Sequence, residues 1–337
     1  MRYLIPVAIF ISLALLAVSC GSPGTKKNVS SNTDTTSAEL QAINDLLREK
    51  PGDAGLYVKR ARYLMDKKDY ASAQADMKRA LSIDSTQADF YLCLADLYFK
   101  VNKTGGSKMA LERCHLLDPK NTDCIMKLAE LYFYVRKYQE SLNYLDEALK
   151  LDQFNSKAYF MKGMNFKESG DTAKAISSLQ TAVEQDNNYY NAYIQLGLIC
   201  GAQHKAIAND YYANALRLQP QSQEALYDFA RLCQEEKNYP QATTLYKQLL
   251  VVNPQNFDAL YNLGVMAVNS KGYTDALNYF TKAIGADARN PRGYYGRGYC
   301  YQQMGDVQNA AADYRYTLTL NPDFDLAKQG MKEMKIY

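Results

Sequence analysis

Two histidines and seven cysteines are the side chains with the widest chemical reach in this chain, and their spacing limits what they can do. Neither His115 nor His204 has a partner set at the spacing of a metal site or of a nucleophile with its base. No glycine-rich phosphate loop, GxSxG turn or HExxH helix occurs in the sequence. The expectation is therefore no catalytic residue, no metal ligand and no cofactor. Among the cysteines, Cys114 and Cys124 are the one sequence-near pair, so a disulfide between them is a possibility to test if the chain reaches an oxidising compartment.

The elements that carry these residues are written in one repeating pattern. Asp84, Asp118, Asp152 and Asp186 lie 34 residues apart and each closes a helical pattern; Gln219 follows after 33, then Asn253, Asp287 and Asn321 at 34-residue steps. Pro119, Pro220, Pro254 and Pro322 come directly after four of these marks. A proline just past a helix end cannot continue the helix, so each mark reads as a stop.

Small residues recur at two places within each period. The first column is Ala61, Ala95, Ala129, Gly163, Gly197, Ala230, Gly264 and Gly298. Eleven or twelve residues later comes Ala73, Ser107, Ser141, Ala175, Ala208, Ala242, Ala276 and Ala310. Two antiparallel helices approach closely only where side chains shrink, and large residues such as Tyr98, Leu111, Leu179, Tyr246, Phe280 and Tyr314 fill the space around that contact. The spacing is helical and not alternating. Cys114 takes the place that Ala80, Ala148, Ala182, Ala215 and Ala283 hold elsewhere, and Cys200 and Cys233 fall in a core column, so most of the thiols read as small apolar groups.

Tyr193-x2-Leu196-Gly197 and Leu260-x2-Leu263-Gly264, with Ala276 and Phe280 four apart, resemble the tetratricopeptide repeat pattern over about residues 54–321. The resemblance implies an all-α, right-handed α-solenoid of about eight helix-turn-helix repeats at 54–322. A partial-repeat helix at 38–53 would precede it, with Ser37 as N-cap, and a capping helix at 323–337 would follow, with Ala327, Met331 and Met334 on one face. Cys200, Cys233 and Ala267 depart from the family by replacing its usual aromatic. The fifth period lacks one residue between Gly197 and Ala208, which predicts a shortened first helix or turn there.

The N-terminus has another organisation. Met1-Arg2 followed by an apolar stretch from Tyr3 to Val18 has the layout of a secretory signal. Leu16-Ala17-Val18-Ser19-Cys20 resembles the lipobox of bacterial lipoproteins, although the family prefers Leu where Ala17 stands. That resemblance implies a signal peptide at 1–19, cleavage before Cys20 and lipidation of the Cys20 thiol. By the same analogy, Gly21 in place of Asp implies the outer membrane, and the absence of an acidic run implies its periplasmic face. The alternative is an uncleaved membrane helix, against which stand the short apolar run, Pro6 and a single preceding positive charge. Residues 20–37 read as the lipidated Cys and a polar linker reaching roughly 20 to 25 Å.

Composition narrows the partners. Thirty-nine Lys plus Arg against 36 Asp plus Glu leave a net charge of +3, and no basic run exceeds two residues, which argues against nucleic acid. With 47% hydrophobic residues the chain can bury a large core.

In arrays of this family the first helix of each pair lines the concave surface, so equivalent residues form ladders. One ladder is Val58, Leu92, Met126, Phe160, Ile194, Tyr227, Tyr261 and Tyr295; four residues on come Arg62, Asp96, Glu130, Met164, Leu198, Arg231, Val265 and Tyr299. A third contains Met65, Phe99, Phe133, Lys167, Gly201, Gln234, Val268 and Gln302. The candidate groove is Met126, Phe160, Met164, Ile194, Leu198, Tyr227, Tyr261, Tyr295 and Tyr299, although tyrosines on the first ladder also serve ordinary packing in this family. Without Lys in the first ladder or Asn in the second, no carboxylate clamp is expected. The expected function is a protein-binding scaffold or adaptor of the cell envelope, held to the membrane by a lipid anchor, with protein or peptide partners. An assembly factor of an outer-membrane or secretion complex is an alternative within binding functions. A cell-wall-acting enzyme is the disfavoured alternative of another class, and the oligomeric state is not legible.

Overall fold

The computed structural model describes residues 34–335. The expected signal peptide, Cys20 and the linker up to residue 33 lie outside the described residues. Every regular element among the described residues is an α-helix. The first, α1 (Asp34–Glu49), begins four residues before the expected Ala38, so Ser37 lies inside it and is not its cap. Repeat one pairs α2 (Ala54–Asp66) with α3 (Tyr70–Ile83), and repeat two pairs α4 (Ala88–Lys100) with α5 (Thr104–Leu117). Repeats three and four are α6 (Thr122–Tyr134) with α7 (Tyr138–Leu151), and α8 (Ser156–Ser169) with α9 (Thr172–Gln185). Then come α10 (Tyr190–Ala202) with α11 (Ala208–Leu218), and α12 (Gln223–Glu235) with α13 (Tyr239–Val252). The last two repeats are α14 (Phe257–Asn269) with α15 (Tyr273–Ala286), and α16 (Pro291–Gln303) with α17 (Val307–Leu320); α18 (Asp325–Glu333) follows them.

The chain forms two compact units, one ending at Ser85 and the other starting at Thr86. In the first, α1 packs on α2 and α2 on α3. Arg60 of α2 donates to both carboxylate oxygens of Asp76 in α3 and to Asn44 Oδ1 in α1, each at 2.7 Å, so one guanidinium joins the three helices. In the second unit each helix packs on its sequence neighbours. First helices of successive repeats also meet: α6 with α8, α10 with α12, and α14 with α16. Each repeat thus buries its apolar face only against the next, as in an α-solenoid of tetratricopeptide type.

The two small columns are the contact inside each repeat. All sixteen positions are buried. Where the second column holds serine, the hydroxyl donates across the contact: Ser107 Oγ to the Ala95 carbonyl at 3.0 Å, and Ser141 Oγ to the Ala129 carbonyl at 2.8 Å. A Cβ at Gly197 would lie 2.9 Å from the Tyr212 ring, and one at Gly264 would lie 2.7 Å from the Phe280 ring. The large ring occupies the volume a methyl would need.

Asp and Asn at the repeat ends have a second use that explains their recurrence. At each mark the backbone is extended and the N–H still bonds the carbonyl four residues back, as Asp118 does to Cys114 at 2.9 Å. The carboxylate or amide oxygen then accepts from the N–H two residues on, in Asp118 to Lys120 (3.1 Å), Asp152 to Phe154 (3.0 Å) and Asp287 to Arg289 (3.0 Å). Three residues after the mark, Asn121, Asn155 and Asn256 cap the next first helix by accepting from the N–H three residues on.

The fifth repeat corrects one expectation. Its first helix, α10, keeps the 13 residues of its equivalents, while the second, α11, has 11 where the others have 14. Elsewhere a residue at positive φ is followed by the N-cap of the second helix, as Lys237 is by Asn238. Here His204 takes the positive φ of 54° and Lys205 follows in the place of those caps, but its carbonyl accepts from the N–H of Ala208, three residues on, where that of Asn238 accepts from Ala242, four residues on. The missing residue thus falls in the first turn, and α11 is regular only from Ala208.

Candidate peptide-binding face

Because first helices of neighbouring repeats touch, their exposed sides form one continuous face in the second unit, and the ladders lie along it. The first ladder is more buried than the sequence suggests. Met126 is 6% and Ile194 2% exposed, so these two candidates are core and offer little surface. Phe160, Met164, Leu198, Tyr227, Tyr261, Tyr295 and Tyr299 are half-buried and remain on the face. Phe160 stacks on Tyr189 with centroids 5.1 Å apart, and Tyr227 leans on Tyr246 at 6.1 Å.

The aromatic candidates converge at the C-terminal end. Tyr261, Tyr295 and Tyr299, with Val265, Val268, Phe280 and Gly296, enclose an open cleft of ≈ 330 Å³. Gly296 lets α16 lie against the Phe280 ring, which also lines the cleft, since a Cβ there would lie 2.6 Å from that ring. Tyr261 is held on its outer side by the Arg292 guanidinium, 4.0 Å from the ring centroid and paired with Asp258 at 3.1 Å. Tyr295 rests against Tyr314 at 5.9 Å and Phe324 at 5.1 Å. Burial raises the Tyr295 hydroxyl above its ordinary pKa, with the neighbouring phenols of Tyr261 and Tyr299 adding to the effect. It stays protonated as a hydrogen-bond donor.

Towards the N-terminal end of this unit the face carries charged rungs. Asp96 pairs with Lys127 at 2.6 Å, Glu130 with Lys157 at 2.6 Å, and Lys167 donates to Gln195 at 2.7 Å. Phe99 and Tyr134, 50% and 67% exposed, meet edge to face at 6.0 Å beside these rungs. The ladders missed Lys127, Lys157 and Tyr134; opposite charges a little less than one period apart were the available signal. Gln234 and Gln302 of the third ladder are engaged, accepting from the buried hydroxyls of Tyr246 and Tyr314.

Elsewhere the reactive residue types have structural surroundings. His115 Nε2 is 3.4 Å from Glu147 and its ring meets Tyr144 edge-on, while exposed His204 forms the short turn after α10. Cys200, Cys233 and Cys300 are buried, and burial pushes the last two up to about 11 and about 12, so they stay thiols at neutral pH. No group of three or more His, Cys, Asp or Glu able to hold a metal ion occurs among the described residues.

Four family models, each described as tetratricopeptide repeat, match residues 54–87, 126–190, 207–265 and 291–324. No curated protein matches the chain. Among solved structures, the C-terminal part of a tetratricopeptide repeat-containing protein from Cytophaga hutchinsonii is 18% identical. The similarity covers 70% of this chain and 98% of that one, with a TM-score of 0.62, and shows the same fold. A tetratricopeptide repeat protein from Parabacteroides merdae is 16% identical over 73% of this chain and 97% of its own, with a TM-score of 0.49. YrrB, described as a tetratricopeptide repeat protein with an unusual peptide-binding site, is 23% identical over 56% of this chain and 97% of its own, with a TM-score of 0.46. The matched segments together span more than half of the sequence and fall on its paired helices, so the chain belongs to the tetratricopeptide repeat family.

Proposed function

We propose that the protein is a non-catalytic interaction scaffold of the bacterial cell envelope, holding a hydrophobic segment of a partner protein on the face formed by its first helices. The observation that carries this reading is the aromatic cleft of Tyr261, Tyr295 and Tyr299. Three phenol rings on rigid helices offer large apolar area at low entropic cost, and their hydroxyls can still bond a peptide backbone. The ion-paired rungs from Asp96 to Lys157 lie on the first helices of the second to fourth repeats, apart from that cleft. Replacing Phe160, Tyr261 and Tyr295 with Ala and measuring recovery of crosslinked envelope proteins tests the face. A tenfold or greater drop, about 1.4 kcal/mol or more, is expected. Recovery equal to that of the unaltered protein would remove this face from consideration.

The envelope part of the reading rests on the lipobox-like Leu16 to Cys20 and the polar segment after it. Acyl chains contribute about 0.8 kcal/mol per buried methylene, so several together hold a protein at a membrane surface. No helix of the described residues is long and apolar enough to cross a membrane. Cys20→Ala should abolish incorporation of labelled fatty acid and release the protein from outer-membrane fractions. Membrane retention of that variant would discard the lipid anchor while leaving the groove reading intact.

A further inference from the structure

Each junction between repeats of the second unit brings the end of a second helix against the start of the next first helix, and at most of these junctions the meeting residues are small. Ala148 with Ala158, Ala182 with Ala192, and Ala215 with Ala225 are pairs ten residues apart, each fully buried and each within one apolar cluster. The junction between the second and third repeats places Cys114 and Cys124 at these two positions. Both are fully buried in one cluster, with Leu111, Leu128 and Leu131 around them. The Cys124 thiol donates to the Leu111 carbonyl, one turn before Cys114, at 3.1 Å, and the two thiols lie close enough to shift each other's ionisation.

We propose that Cys114 and Cys124 form a disulfide that fastens α5 to α6 when the chain meets a disulfide oxidant. Alanines in contact hold their Cβ atoms about 4 Å apart, and a disulfide asks for about 3.5–4.5 Å between Cβ atoms. The repeat architecture therefore already supplies the separation that the bond needs. A cysteine at only one of the two positions would read as a small apolar filler. Cysteine at both, where three other junctions have alanine at both, puts two nucleophilic atoms side by side. The neighbouring Cys124 lowers the Cys114 thiol below its ordinary pKa, while Cys114 and burial raise Cys124 above it, which makes Cys114 the first attacker.

With glutathione disulfide as oxidant the exchange balances. The Cys114 thiolate attacks one sulfur of the oxidant, forming a mixed disulfide and expelling a glutathione thiolate. Cys124, after losing its proton, attacks the Cys114 sulfur of that mixed disulfide, and the second glutathione thiolate leaves. Two protons pass from the protein thiols to the two departing thiolates; the pair loses two electrons and the oxidant gains them. Because both thiols are buried, exchange occurs during folding or on local opening of the turn at Asp118 to Asn121.

The test uses the full chain, refolded through a glutathione redox buffer, alkylated with iodoacetamide and digested with trypsin. Cleavage places Cys114 in residues 114–120 and Cys124 in residues 121–127. The expected result is one linked species, lighter by two hydrogens than the sum of the two peptides and separated by reductant. Thermal unfolding then gives a second readout. The unaltered protein should melt at a higher temperature oxidised than reduced, whereas Cys124→Ala should melt at one temperature in both buffers. That variant is expected to fold, because alanine is what the equivalent position of α8, α10, α12 and α14 already carries. Recovery of both peptides alkylated after refolding, or of Cys114 joined to any other cysteine, would overturn the proposal.

Discussion

At the residue scale, the matching of a small residue to a large ring governs how close the paired helices come. The Phe280 ring lies between Gly264 of its own repeat and Gly296 of the next, with ideal Cβ positions 2.7 and 2.6 Å from ring carbons. The Tyr314 ring lies in the same way between Gly298 and Gly330. Earlier repeats carry Ala95 with Leu111 and Ala129 with Leu145, where a narrower side chain leaves space for the methyl. Gly264→Ala should therefore cost about 1–3 kcal/mol by overpacking, read as a lower denaturation midpoint. Adding Phe280→Leu should recover part of that loss, since Ala with Leu is a pair the protein already uses. A double variant no better than the single one would mean that the ring is not what excludes the methyl.

At the element scale, the first and last repeats each contain an ion pair with a buried carboxylate. Arg60 grips Asp76, and sixteen residues also separate Arg297 from Asp313, whose fork is closed at 2.8 and 2.8 Å. In the sixth repeat the same two places hold Phe229 and Leu245. Asp313 is buried and Arg297 mostly so, which leaves either charge costly without the other. Asp313→Ala should lose about 3–5 kcal/mol, while Arg297→Leu with Asp313→Leu should come within about 1–2 kcal/mol of the unaltered protein or exceed it. Urea denaturation of the three proteins checks the order, and equal loss in single and double variants would refute it. The terminal pairs are what the period conceals, because they break the apolar pattern in two repeats that are distant in sequence.

At the scale of the whole molecule, an array of neighbour contacts leaves an apolar face at each end, and α18 covers the one after the eighth repeat. It packs on α17 and touches α16, with Ala327 and Gly330 buried and Gly330 against Tyr314. Met331 and Met334, expected on the buried side, are only partly covered. Ending the chain at Leu320 would uncover Tyr314, which is fully buried. Burying a side chain of that kind is worth about 1.5–3 kcal/mol, so the truncated protein should show earlier unfolding and faster hydrogen exchange in α16 and α17. Unchanged protection in those helices would mean that the last repeat closes itself.

The sequence by itself determined the number of repeats, the helix pairs, their stops at Asp and Asn, and the two small columns. These depend on local propensity and on a face that recurs every 34 residues, both of which are written along the chain. It also placed Tyr261, Tyr295 and Tyr299 on one ladder system. Only the tertiary structure decided that Met126 and Ile194 are core, that Gln234 and Gln302 serve buried phenols, and that Lys127 and Lys157 close charged rungs. It decided too that the missing residue of the fifth repeat comes out of the first turn of α11, and that Gly296 lies against the Phe280 ring. Periodicity says which side of a helix is buried within its own repeat. How much of that side survives depends on the angle at which the next repeat packs, and that angle is set by side-chain volumes from two periods at once.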